Sequence, residues 1–70
     1  MSTPEEIASL IDREHPEEVK IASKVSVLIT DALKPLGLAE DPIFRSKVAR
    51  ELIKIRMNNR LENAKLTLFL

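Results

Sequence analysis

After Pro42 the chain runs to Leu70 with neither proline nor glycine, and its apolar residues over that stretch fall on two opposite sides of a helix. At about 100° per residue, Phe44, Val48, Leu52 and Ile55 lie together, while Ile53, Met57, Leu61, Ala64 and Leu68 form a second stripe on the far side. One small core covers one such stripe and leaves the other bare. Two solutions follow. Either the helix breaks at Asn58-Asn59, where Asn59 with Glu62 three residues later has the form of a new helix cap, or its second half packs on another chain. The closing residues 66–70 sharpen the problem, because Leu66, Leu68, Phe69 and Leu70 are apolar where chain ends are ordinarily polar. They must dock, either on the chain's own core through Leu68 and Phe69 or on a subunit or partner. The alternation of Leu66, Leu68 and Leu70 also allows a short terminal strand.

The size of the chain makes self-association a natural way out. Seventy residues form one small domain, and a chain of that length buries only about 60% of the surface exposed by its unfolded form. With no cysteine and one histidine, neither disulfides nor a Cys/His zinc cluster can reinforce the core, so apolar packing must carry it. A hydrophobic share of 44% against 31% charged residues is sufficient for a folded domain and unlike a disordered chain. The only aromatic residues are Phe44 and Phe69, which removes the base-stacking surfaces used by single-strand nucleic-acid binders. No stretch approaches the ~18 apolar residues of a membrane span, and acids rather than bases follow Met1, so a cytoplasmic protein is expected.

Before Pro42 the helix signals are local and clear. Thr3-Pro4-Glu5-Glu6 has a capping side chain, a proline for the first turn and acids facing the positive end of the helix dipole, and Ile7, Leu10 and Ile11 then supply a narrow apolar stripe. His15-Pro16-Glu17-Glu18 repeats the start signal, so a second helix is expected from Pro16. Its apolar positions Ile21, Ala22, Val25, Leu28, Ile29, Ala32 and Leu33 keep a helical period, which outweighs the strand preference of the β-branched Val25, Val27, Ile29 and Thr30. Pro35 and Gly37 should end that helix, and Asp41-Pro42 should start the third. The proline-containing junctions read as turns within one domain spanning residues 1–70, with no internal repeat or linker.

Charge is balanced overall but divided along the chain. Residues 1–42 hold nine acids against four bases, a net of −5, and residues 43–70 hold seven bases against two acids, a net of +5. Such a division marks an interaction surface. Catalytic signatures are missing: there is no cysteine, tyrosine or tryptophan, and one glycine cannot make a phosphate-binding loop. His15 before Pro16 suits a helix junction better than acid–base work, and Glu14, Glu17 and Glu18 suit a helix start better than a cation site. No catalytic, cofactor-binding or metal-ligating residue is therefore expected.

The basic stretch admits two readings. Lys47, Arg50 and Lys54 recur on one stripe suited to phosphates, and a helix-turn-helix can be drawn with residues 26–34 as its first helix and residues 42–55 as its recognition helix, Arg45 and Ser46 lying near its start. Against this, the connection from Leu36 to Asp41 is longer than that motif's usual turn, and the chain has no net positive charge. The bases then form a solvated face or pair with acidic helices of the same or a neighbouring chain.

These features lead to an all-α domain of three helices, or four if the last one breaks. The expected arrangement is a hairpin of helices two and three with a short N-terminal helix across it, paired into a dimeric bundle. The expected interface is Ile53, Met57, Leu61, Ala64, Leu68 and Phe69, in a non-catalytic protein-interaction or oligomerisation module and small regulator. The alternative is a DNA-binding transcriptional regulator that uses the basic helix 42–56 and contacts nucleic acid through Arg45, Lys47, Arg50 and Lys54.

Overall fold

A computed structural model describes the backbone of residues 3–69 and the side chains of residues 3–59. Among the described residues every regular element is helical: α1 (Pro4–Glu14), α2 (Ala22–Leu33) and α3 (Pro42–Phe69), with single 3-10 turns at Glu18–Lys20 and Lys34–Leu36.

α1 forms as its sequence directs. Thr3 is the N-cap, its hydroxyl accepting from the Glu6 backbone N–H at 3.2 Å, and Pro4 occupies the first turn. Ile7 and Ile11 are buried as expected. Leu10, expected on the same stripe, is 40% exposed, and Ala8 is fully enclosed in its place. A small side chain at a fully buried position lets helix backbones approach closely. Among the described residues, α1 makes the most extensive interhelical contact, with α3, whereas α2 touches α3 less. The helices are therefore not arranged chiefly as a hairpin of α2 and α3: α3 is the common support, and α1 is its main partner.

α2 begins later than Pro16. Residues 16–17 form a turn, Glu18–Lys20 a 3-10 turn, and Ile21 is extended (φ −102, ψ 109) before the helix starts at Ala22. Tertiary packing supplies the reason. In one continuous helix Val19 would lie well off the stripe that contains Val25, Leu28 and Ile29. The break turns Val19 inward, to 2% exposure, and frees its carbonyl, which accepts from Arg56 Nη1 at 3.2 Å. Ile21 and Ala22, expected in the core stripe, are exposed as a consequence. Leu28, Ile29 and Leu33 form the buried face.

The end of α2 and the start of α3 match their signals. Gly37 takes a left-handed conformation (φ 71), and the Leu38 N–H reaches back to the Leu33 carbonyl at 3.1 Å. The Asp41 carboxylate then accepts from the backbone N–H groups of Ile43 (3.0 Å) and Phe44 (3.1 Å), capping α3.

α3 runs without interruption through Asn58-Asn59 to Phe69. No fourth helix starts at Asn59, and residues 65–69 are helix rather than strand; Leu70 lies outside the described residues. At about 1.5 Å per residue this 28-residue helix is about 42 Å long, and it accounts for the 46 Å long axis of a body only 23 × 18 Å across. Its inner face meets the core at Val48 (0%) and Leu52 (3%), with Phe44 and Ile55 partly buried beside them. Among the residues with described side chains, α3 contributes to the core as far as Ile55, and Arg56 follows with its contact to the Val19 carbonyl.

Candidate interaction surface

The outer face of α3 departs most from an ordinary domain surface. Ile43, Ile53 and Met57 are 68%, 58% and 57% exposed, and the helical period places them on one side of α3, opposite Val48 and Leu52. Exposed Lys47, Arg50 and Lys54 lie on the same side. Ile53 and Met57 of the expected apolar interface thus share one side of α3 with Lys47, Arg50 and Lys54 of the expected phosphate-binding stripe. Leu61, Ala64, Leu68 and Phe69 continue the helical stretch, but their side chains lie outside the described residues.

Arg45 does not belong with the other bases. Half-buried, it turns toward α2: Nη1 donates to Thr30 Oγ1 (2.7 Å) and to the Ala39 carbonyl (2.8 Å), while Nη2 donates to Ser26 Oγ (3.1 Å) and the Ser26 carbonyl (3.4 Å). Thr30 Oγ1 itself donates to the Ser26 carbonyl at 2.9 Å, so the guanidinium closes a small polar network between α2, the loop and α3. A guanidinium presents a rigid fork of donors, which is why arginine rather than lysine can hold several neutral oxygens at once. Its work is to lock α3 to α2. Lys54 pairs with Glu51 at 3.1 Å, one turn away, while remaining 62% exposed, an arrangement worth little to stability.

A second surface escaped the sequence reading. An open groove of about 750 Å³ lies between α1 and α2, and its apolar lining includes Leu10, Val27 and Leu36, which are 40%, 58% and 46% exposed. Its edges carry Glu14, Glu18 and Asp31 against the single lysine Lys24. The signal was present but faint: Val27 falls outside the helical period of α2, and Leu36 follows Pro35 in the turn. Neither position is notable until α1 lies alongside.

The ionisable groups near the first junction pair locally. Glu17 meets Lys20 at 3.4 Å, and Glu18 Oε1 lies 3.8 Å from His15 Nδ1. Among the described residues, no three His, Cys, Asp or Glu side chains are grouped to hold a metal ion, and no helix is long and apolar enough to cross a membrane. No buried side-chain nitrogen or oxygen among them lacks a hydrogen-bond partner. No family model, curated protein or solved structure matches this chain.

Proposed function

We propose that this protein is a non-catalytic interaction module that assembles into a homodimer through the outer face of α3. The observation that supports this reading is the apolar stripe of Ile53 and Met57, exposed on a helix that continues through Asn58-Asn59 to Phe69. In sequence the stripe is extended by Leu61, Ala64 and Leu68, with Phe69 beside them.

Magnitudes decide how much of the stripe is needed. Ile53 and Met57 are 58% and 57% exposed, so each has roughly 1–2 kcal/mol still to gain on burial. Two copies of this pair yield about 4–8 kcal/mol, against an association cost of about 4–15 kcal/mol. The two ranges overlap, so the pair alone makes a marginal contact, and this reading draws on the leucines beyond it for the rest. Contiguous exposed apolar surface rimmed by charge is the usual mark of such a contact.

Solution mass by light scattering over a range of concentrations tests the reading. The intact protein should have twice the mass of one chain, and Leu61→Glu should reduce it to one with helical circular dichroism retained. A Leu61→Glu protein that keeps the dimer mass would remove this face as the interface.

Phosphate binding is the second reading, favoured by the exposure of Lys47, Arg50 and Lys54 on one side of α3. Three phosphate contacts give a log–log salt dependence of roughly −3 for duplex DNA. Absence of duplex binding at low salt would exclude it.

A further inference from the structure

We propose that the groove between α1 and α2 is a docking site for a short basic amphipathic helix of another protein. No residue of α3 lines this groove, so the inference stands apart from self-association through the outer face of α3.

The form of the groove follows from the spacing of its walls. Ile7, Leu10, Ile11 and Glu14 face it from α1 at i, i+3, i+4 and i+7. Lys24, Val27, Leu28 and Asp31 repeat that spacing on α2. Such a spacing is one continuous face of a helix, so each wall is a helix face and the groove runs along both elements. Its floor is firm, because Ile7, Ile11 and Leu28 belong to the core, while Leu10 and Val27 stand exposed above them. The walls extend about 10 Å from Ile7 to Glu14 and about 12 Å from Lys24 to Ala32, and Leu36 prolongs the second beyond the end of α2. Apolar side chains at i, i+3 and i+7 of an added helix cover about the same 10 Å, and a helix laid into an apolar groove is a recurrent mode of recognition.

Charge selects the occupant. Glu14, Glu18 and Asp31 border the groove against the single lysine Lys24. Glu14 is the last residue of α1, and Asp31 lies in the last turn of α2. A carboxylate at the negative end of a helix dipole is disfavoured, and neither residue makes an ion pair among the described residues. The chain's own helices thus disfavour both charges, and a cationic partner would offset that cost. The acids are also spread out: Glu14 and Glu18 flank the end of α1, whereas Asp31 is about 10 Å along α2 from Lys24. One small cation cannot meet all of them, but lysines or arginines on both flanks of a docked helix can. Phosphates and acidic peptides would be repelled. Such pairing fixes orientation and speeds encounter even where each ion pair contributes little stability.

Two synthetic peptides test the proposal on the full chain. Both are helices of about three turns with leucine at i, i+3 and i+7; one carries lysine on its flanks and the other glutamate. The lysine peptide should shift the methyl resonances of Leu10, Val27 and Leu36 and leave those of Ile43 and Ile53 in place. The glutamate peptide should bind at least about tenfold more weakly. Glu14→Lys with Asp31→Lys should reverse that preference, since both substitutions place lysine where the helix dipole favours it. Should the double variant lose helicity by circular dichroism, Val27→Lys at an exposed groove position takes its place and should weaken the lysine peptide about tenfold.

Shifts at Ile43 and Ile53 instead of the groove, equal affinity for the two peptides, or no shift with either would overturn the proposal. Groove methyls that shift when the protein alone is concentrated would make a second copy the occupant and overturn it as well. Binding of the lysine peptide should persist in Leu61→Glu, whose solution mass decides the self-association reading. The groove and the α3 face can therefore fail separately.

Discussion

The inner and outer faces of α3 carry the same kinds of apolar side chain, yet Val48 and Leu52 are buried while Ile43, Ile53 and Met57 stand mostly in solvent. Composition does not distinguish them. The difference lies in what surrounds the helix: α1 and α2 both lie on one side of it, leaving the other side to solvent or to another chain. Burial in a domain this small is allocated by the number of neighbours available, and two short helices can cover only one face of a long one. The apolar residues on the uncovered face are therefore informative, because a monomer alone gives them no partner.

Substitutions on the two faces should behave in opposite ways. The largest effect is expected at Leu52, where truncation to alanine leaves a cavity beneath a side chain only 3% exposed and costs about 2–5 kcal/mol. Urea unfolding should show a lower midpoint with an unchanged slope. A loss below about 1 kcal/mol would mean that the inner face of α3 is not the core wall described above.

The intermediate case is Arg45, which belongs to the inner side of α3 though its side chain is charged. Arg45→Ala strips the Ala39 carbonyl and the Thr30 hydroxyl of a common donor, and the expected loss is about 1–3 kcal/mol. Arg45→Lys should recover only part of it, since an ammonium on a flexible stem cannot reproduce the fork. Full recovery with lysine would show that charge alone, without the donor geometry, holds α3 to α2.

The smallest effect should come from the outer face. Measured at a concentration low enough to keep chains apart, Ile53→Ser should change unfolding free energy by less than about 0.5 kcal/mol, as for surface positions in general. At high concentration the same substitution should lower the fraction of dimer. If it instead destabilises the dilute protein by more than about 1 kcal/mol, Ile53 packs within the monomer and the contrast between the faces disappears.

The elements differ in how far they could be read in advance. The caps at Thr3 and Asp41 and the turn at Gly37 rest on contacts between residues close in sequence, so a local pattern contains what is needed to recognise them. The start of α2 does not. His15-Pro16-Glu17-Glu18 has the local chemistry of a helix start, but the helix begins only at Ala22, and the break before it buries Val19 and gives its carbonyl to Arg56. Nothing within a few residues of Val19 announces a partner 37 positions away.

The same reasoning divides the candidate surface. The charge division, the two stripes on α3 and the apolar residues 66–70 are properties of the sequence alone, since they follow from residue order and a helical period. Packing decided which stripe is buried, that Arg45 joins the scaffold rather than the basic face, and that Leu10, Val27 and Leu36 come to line one groove. Those outcomes depend on how α1, α2 and α3 meet in space, and periodicity within one helix carries no information about the helix beside it.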